Sequence, residues 1–157
     1  MVLTYIKQDL FDTSIGIIVH GCNSYGVMGS GVARLIKDKY PEAYQAYNDQ
    51  YTQKISSQGT NALLPLGTNI IVPSRGKIIV NAITQETYGK SVRERRYVSY
   101  DAVAKCMASL EEFCILNAYP EVAMPKIGAG LGGGDWNVIA AIIGSELIET
   151  NVTVYEI

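Results

Sequence analysis

The sequence predicts an α/β domain. Short apolar strands alternate with helical segments along its length, and two glycine-rich turns each follow a strand and precede a helix. That order implies a largely parallel or mixed sheet with helices on both faces. The size and composition agree. The chain has 157 residues, the size of one domain, and 48% of them are hydrophobic. Charged residues make up 18%, against about 25% in average soluble domains, which argues for a well-filled core and against disorder.

Residues 1–6 and 16–20 read as short strands rich in β-branched side chains; the second is apolar throughout and therefore central. The turn Gly21-Cys-Asn-Ser-Tyr-Gly-Val-Met-Gly-Ser-Gly31 leads into a helical pattern over 32–51, in which Leu35, Ile36, Tyr40, Tyr44 and Tyr47 share a face. Pro41 marks a break or a new first turn. Residues 62–72 and 77–83 read as strands joined by a Pro73-Ser-Arg-Gly76 turn, and a polar loop follows over 84–97. Ser99 is placed to cap a helix through about residue 118, with Val103, Met107, Leu110, Phe113 and Cys114 facing inward. A short strand at 121–124 ends at Pro125, and the second turn, Gly128-Ala-Gly-Leu-Gly-Gly-Gly134, follows. Asp135 caps a helix over 136–149, and residues 152–157 close the sheet.

Composition narrows the function. A net charge of −2 leaves no basic surface to track a duplex backbone. No run approaches the ~20 apolar residues that span a bilayer, and the start lacks the basic head and apolar run of a signal peptide. Three cysteines without CxxC spacing fit a reducing compartment, so a cytoplasmic protein is expected, in the host cytoplasm if the source is viral. With His20 the one histidine, a His/Cys zinc site is excluded, and neither metal nor cofactor is expected. Nothing points to an oligomer, and a monomer is expected.

Both glycine turns fall where open α/β sheets bind ligands, at the carboxyl ends of strands. Each following helix directs its N-terminal amides at that crevice, a ready place for phosphate, and two such turns at one edge suggest a diphosphate held between them. Neither is a P-loop, which ends in Gly-Lys-Ser/Thr, and Gly26, Gly29 and Gly31 give GxxGxG, the reverse of the Rossmann order. There is no GxSxG elbow. His20 and Cys22, two apart on an extended chain, share a face.

Five stretches taken together resemble the macro domain, an ADP-ribose-binding family. They are Gln8-Asp-Leu-Phe11; Val19-His-Gly-Cys-Asn23 with Gly26-Val-Met-Gly-Ser-Gly-Val-Ala33; Ile83-Thr-Gln-Glu-Thr-Tyr-Gly89; Met124-Pro-Lys-Ile-Gly-Ala-Gly-Leu-Gly-Gly-Gly-Asp-Trp136; and Thr153-Val-Tyr-Glu-Ile157. They occur in the family's order and spacing over nearly the whole chain. The resemblance implies a three-layer α/β/α fold around a mixed sheet of about six strands. Within the family the chain is most similar to the branch holding yeast-type ADP-ribose 1″-phosphate phosphatases and glutamate-linked ADP-ribosyl hydrolases. The hydrolases carry a catalytic lysine where this chain has Gln85 and an aspartate where it has Gly132, and both departures count against their mechanism.

By the same resemblance Asp9 accepts from the adenine amino group, with the Leu10 main chain alongside, and Tyr155 packs on adenine. Asn23 orients the distal ribose, with Ser24 and Met28 beside it. The amides of Gly29, Ser30, Gly31 and Val32, and of Ile127, Gly128, Ala129, Gly130, Leu131, Gly132 and Gly133, cradle the diphosphate, where a Cβ would block the approach of the main chain. Thr84 and Gln85 complete the substrate-binding set. His20 and Asn23 are the catalytic candidates, His20 as acid, base or water-positioning group at a terminal phosphate. The bland readings are a turn aspartate, an Asx turn, a structural histidine and a core tyrosine. The implied reaction is hydrolysis of ADP-ribose 1″-phosphate to ADP-ribose and phosphate; the alternatives are a non-catalytic ADP-ribose reader and an ADP-ribosyl hydrolase acting on modified protein or nucleic acid.

Overall fold

The computed structural model describes residues 1–59, 62–87 and 96–156. Its six strands are β1 (Leu3–Ile6), β2 (Ile17–Asn23), β3 (Asn69–Ser74), β4 (Lys77–Gln85), β5 (Glu121–Met124) and β6 (Asn151–Tyr155). They form one sheet in the order β1-β6-β5-β2-β4-β3, parallel except for the β3–β4 hairpin. The helices are α1 (Gly31–Lys39), α2 (Pro41–Gln58), α3 (Tyr100–Leu116) and α4 (Trp136–Glu146).

Alternation along the strands sends side chains to two cores, one on each face of the sheet. Ile17 and Val19 of β2 and Val80 and Ala82 of β4 meet Val103, Met107 and Leu110 of α3 and Ile139 and Ile143 of α4. Ile18 and Cys22 of β2 and Ile79 and Ile83 of β4 meet Ile36 of α1 and Ala43 and Tyr47 of α2. The three-layer α/β/α arrangement is therefore present, with the central β2 buried along almost its whole length.

The helix starts obey local chemistry. Ser99 accepts from the Ala102 N–H and Asp135 from the Asn137 N–H, as their positions predict. Pro41 occupies the first turn of α2, where its missing N–H costs nothing, so the pattern read as one helix with a break is two helices.

Several boundaries differ from the sequence reading: α2 runs on to Gln58, past the expected 51, and β4 to Gln85, past 83. β2 runs on through Gly21, Cys22 and Asn23, because β4 extends beside it as far as Gln85 and supplies hydrogen-bond partners. The first glycine turn thus starts later than its composition suggests. The strand expected over 62–72 begins only at Asn69: Pro65 has no N–H to give, Gly67 has φ 83°, and the Leu64 N–H goes to the Ser24 carbonyl instead of a ladder. The last helix stops at Glu146, earlier than the expected 149.

Candidate functional site

The carboxyl ends of β2 and β5 open into a cavity of about 500 Å³ between the two glycine turns. That volume suits a small organic ligand. One wall is the start of α1, with Gly29, Ser30, Gly31, Val32 and Ala33; the other is Ile127, Gly128, Gly130, Leu131 and Gly132; the floor is His20, Gly21, Cys22 and Asn23, with Gln85 alongside.

Both walls expose main chain. Ser30 is the N-cap of α1, yet its hydroxyl makes no capping bond, so it and the first-turn amides remain available to a ligand. On the other side Gly128 (φ 76°) turns the chain, and its carbonyl accepts from the Gly134 N–H at 2.8 Å. The Gly132 carbonyl accepts from Tyr97 and Val98. No main-chain bond among the described residues engages the N–H groups of Gly130, Leu131 or Gly132. Among the described residues Lys126 is the one charged side chain lining the cavity, and its Nζ lies 3.3 Å from Glu156 Oε1. The two walls form a cradle of amides, suited to an anion.

The floor is polar and buried. His20 is 1% exposed, and its Nε2 lies 2.6 Å from Asn81 Oδ1. Because Asn81 Nδ2 donates to the Ala43 carbonyl, Oδ1 is the atom facing His20; Nε2 then carries the hydrogen and Nδ1 is bare. Burial holds the imidazole down at about 4, against the hydrogen bond to Asn81, which pulls it upward. It is neutral at pH 7. Cys22 Sγ lies 3.5 Å from His20 Nε2, and burial pushes its thiol well above the ordinary cysteine range, so it is no thiolate.

Asn23 is 7% exposed, and its side chain closes an Asx turn: Oδ1 accepts from the Tyr25 N–H at 2.9 Å while Nδ2 donates to the Val27 carbonyl at 2.8 Å. The bland reading of Asn23 is therefore realised, without removing it from the cavity wall.

Twelve of the predicted site residues meet at this cavity: His20, Asn23, Gly29, Ser30, Gly31, Val32, Gln85, Ile127, Gly128, Gly130, Leu131 and Gly132. Others lie elsewhere. Leu10 and Met28 are core residues, each 2% exposed. Ser24 is buried, and its N–H bonds the Glu86 carbonyl. Thr84 is fully buried behind Gly21, and its hydroxyl has no hydrogen-bond partner among the described residues. Ala129 and Gly133 belong to the second turn but do not line the cavity. Tyr155 packs in the core and donates its hydroxyl to Thr13 at 2.7 Å, so the core reading describes it. Asp9 is exposed outside the cavity and caps the 3₁₀ turn Leu10–Asp12 through Oδ1. Gly21, Cys22, Val27, Ala33, Pro125 and Lys126 line the cavity unpredicted. The extension of β2, readable only from its pairing with β4, brings in Gly21 and Cys22. Arg96 lies over the Tyr100 ring at 4.1 Å.

The family model for the macro domain matches residues 19–143. The chain belongs to the macro domain family. This macro domain is 28% identical to the ADP-ribose glycohydrolase OARD1 of Bos taurus, over 98% of the chain and 90% of that protein. It is 27% identical to an ADP-ribose 1″-phosphate phosphatase of Debaryomyces hansenii, over 90% and 92%. Among solved structures, a protein of unknown function from Bacteroides thetaiotaomicron superposes at a TM-score of 0.82 with 32% identity, covering 100% of this chain and 99% of that one. The macrodomain of Thermus aquaticus DarG shares the fold at 0.76 with 21% identity, each chain being 99% covered.

Proposed function

We propose that this macro domain binds ADP-ribose and hydrolyses ADP-ribose 1″-phosphate to ADP-ribose and phosphate. The observation that carries the reading is the pair of amide-lined walls facing each other across a cavity whose one charged side chain, among the described residues, is a lysine. A diphosphate fits such a cradle without a metal to neutralise it. Relatives that act on ADP-ribose derivatives, over nearly the whole length of the chain, support the ligand class.

In this mechanism the walls fix the diphosphate, Asn23 donates a hydrogen bond to the distal ribose or its phosphate, and water attacks phosphorus. The P–O1″ bond breaks, the ribose oxygen takes the proton that the attacking water gives up, and inorganic phosphate leaves. Unengaged amides of Gly130–Gly132 stabilise the charge that develops on the phosphoryl oxygens. A neutral imidazole, with Nε2–H given to Asn81, is no proton donor to the leaving oxygen near pH 7. Of the roles considered for His20, holding the floor and orienting water fit best.

Hydrolysis by the lysine–aspartate route is disfavoured. Gln85 lines the cavity where the lysine would stand, with its Nε2 donated to the Thr87 carbonyl at 2.8 Å. A Cβ on Gly132 would meet the Gly128 carbonyl oxygen at 2.6 Å, so this turn has no room for the aspartate. A second reading, the non-catalytic reader, is favoured by one feature: among the described lining residues there is no carboxylate. Three free, buried cysteines are in keeping with the cytoplasmic setting that we propose with it, and we take the protein as a monomer.

The test is phosphate release from ADP-ribose 1″-phosphate by wild type, His20→Ala and Asn23→Ala. Turnover by wild type, lowered by about tenfold or more in Asn23→Ala, is expected. Tight ADP-ribose binding without phosphate release selects the reader, and absence of ADP-ribose binding overturns both.

A further inference from the structure

We propose that Tyr47 is the positioning residue of this site. It locks the Asn23 amide so that an N–H, and not the carbonyl oxygen, is offered to the ligand. The inference rests on the ADP-ribose reading above and specifies what that ligand must present at this point.

Tyr47 lies on α2, fully buried beneath the first turn. Its hydroxyl oxygen is 2.6 Å from the Asn23 main-chain carbonyl and 2.9 Å from Asn23 Oδ1. A phenol has one proton, so the two oxygens share it. Burial raises the phenol far above its ordinary range, and it remains a neutral donor at every working pH. Asn23 Oδ1 also faces the N–H groups of Tyr25 at 2.9 Å and Val27 at 3.4 Å. Three donors converge on one oxygen, while Nδ2 donates to the Val27 carbonyl. Turning the amide over would set Nδ2 against those donors and Oδ1 against a carbonyl. Only the second Nδ2–H is left for the cavity, and the group it meets must be an acceptor, such as a ribose hydroxyl or phosphate oxygen.

The helix holds the floor at a second point. The Ala43 carbonyl, one turn before Tyr47, accepts from Asn81 Nδ2, and Asn81 Oδ1 accepts from His20. Neither Tyr47 nor Ala43 lines the cavity.

The experiment measures calorimetric Kd for ADP-ribose and for ADP, which lacks the distal ribose, with wild type, Tyr47→Phe, Asn23→Ala and the double variant. Tyr47→Phe is expected to weaken ADP-ribose by about fivefold to tenfold, the scale of one hydrogen bond, and to leave ADP within about twofold. In the Asn23→Ala background the Tyr47→Phe change is expected to have no further effect. Equal losses for both ligands, an undiminished effect without Asn23, or no effect on ADP-ribose overturns the inference. If Tyr47→Phe fails to fold, Asn23→Asp carries the test: it keeps the inward acceptor and removes the N–H, so ADP-ribose is lost and ADP retained, and unchanged ADP-ribose affinity overturns it. Wild type that binds neither ligand overturns the ADP-ribose reading as well, which separates the two failures.

Discussion

His20 Nε2 and Asn81 Oδ1 lie 2.6 Å apart on neighbouring parallel strands, in register across the β2–β4 ladder. Burial of this histidine, against the upward pull of its hydrogen bond to Asn81, ties stability to pH. Folded His20 takes a proton only near pH 4, whereas in the unfolded chain it does so near 6.5. Between those values the unfolded state binds the extra proton. The stabilisation is therefore complete above about pH 6.5, falls as the pH drops, and is spent near pH 4. The whole contribution is about 3 kcal/mol. Urea midpoints of wild type should decline from pH 7.5 to pH 4.5 more steeply than those of His20→Gln, and parallel curves would refute the assignment.

Asp9 separates two roles within one carboxylate. Oδ1 accepts from the Phe11 N–H, which caps a 3₁₀ turn, and adenine recognition would fall to Oδ2. Asp9→Asn keeps the cap and puts an amide NH₂ where the adenine amino group needs an acceptor. We expect an unchanged Tm with about tenfold weaker ADP-ribose binding by calorimetry, whereas Asp9→Ala should also lose ~1 kcal/mol of stability.

Gly132 sets a barrier to converting this site into the lysine–aspartate type. Its Cβ would press on backbone, at 2.6 Å from the Gly128 carbonyl oxygen and 3.0 Å from Gly128 Cα, and neither can yield as a flexible side chain would. Gly132→Asp should cost about 1–3 kcal/mol by overpacking. The Gln85→Lys, Gly132→Asp double variant should gain no release of ADP-ribose from a glutamate-modified peptide.

Thr84 offers the opposite case, a polar group with nothing to hold. Its hydroxyl is fully buried without a partner among the described residues, facing the space that Gly21 leaves by lacking a side chain. Thr84→Val should therefore be neutral or stabilising by up to about 1 kcal/mol in denaturant titrations, with ADP-ribose affinity unchanged. A loss of affinity would place that hydroxyl on the ligand.

The sequence carried what local chemistry encodes. Ser99, Pro41 and Asp135 marked the helix starts, and the two glycine turns marked the walls of the cavity. It failed where the outcome depends on distant partners. Nothing local shows that β2 continues past Gly21, since the hydrogen bonds for that stretch come from β4, some sixty positions away. Tyr155 and Met28 were assigned to the ligand, yet their burial is decided by α1, α2 and Thr13 across the core. Likewise the polarity of the Asn23 amide depends on Tyr47, a residue that its helical pattern marks only as apolar face.

The position of β6 has a consequence for how the molecule is made. β6 lies between β1 and β5, and β1 has no other neighbour in the sheet. During synthesis the amino-terminal strand thus stays unzipped, its edge bare, until residues 151–155 have cleared the ribosome. Both helical layers can begin to gather on β2, β4 and β5 before then. A nascent chain stalled before residue 151 is accordingly the species most exposed to proteolysis or to pairing with a second copy.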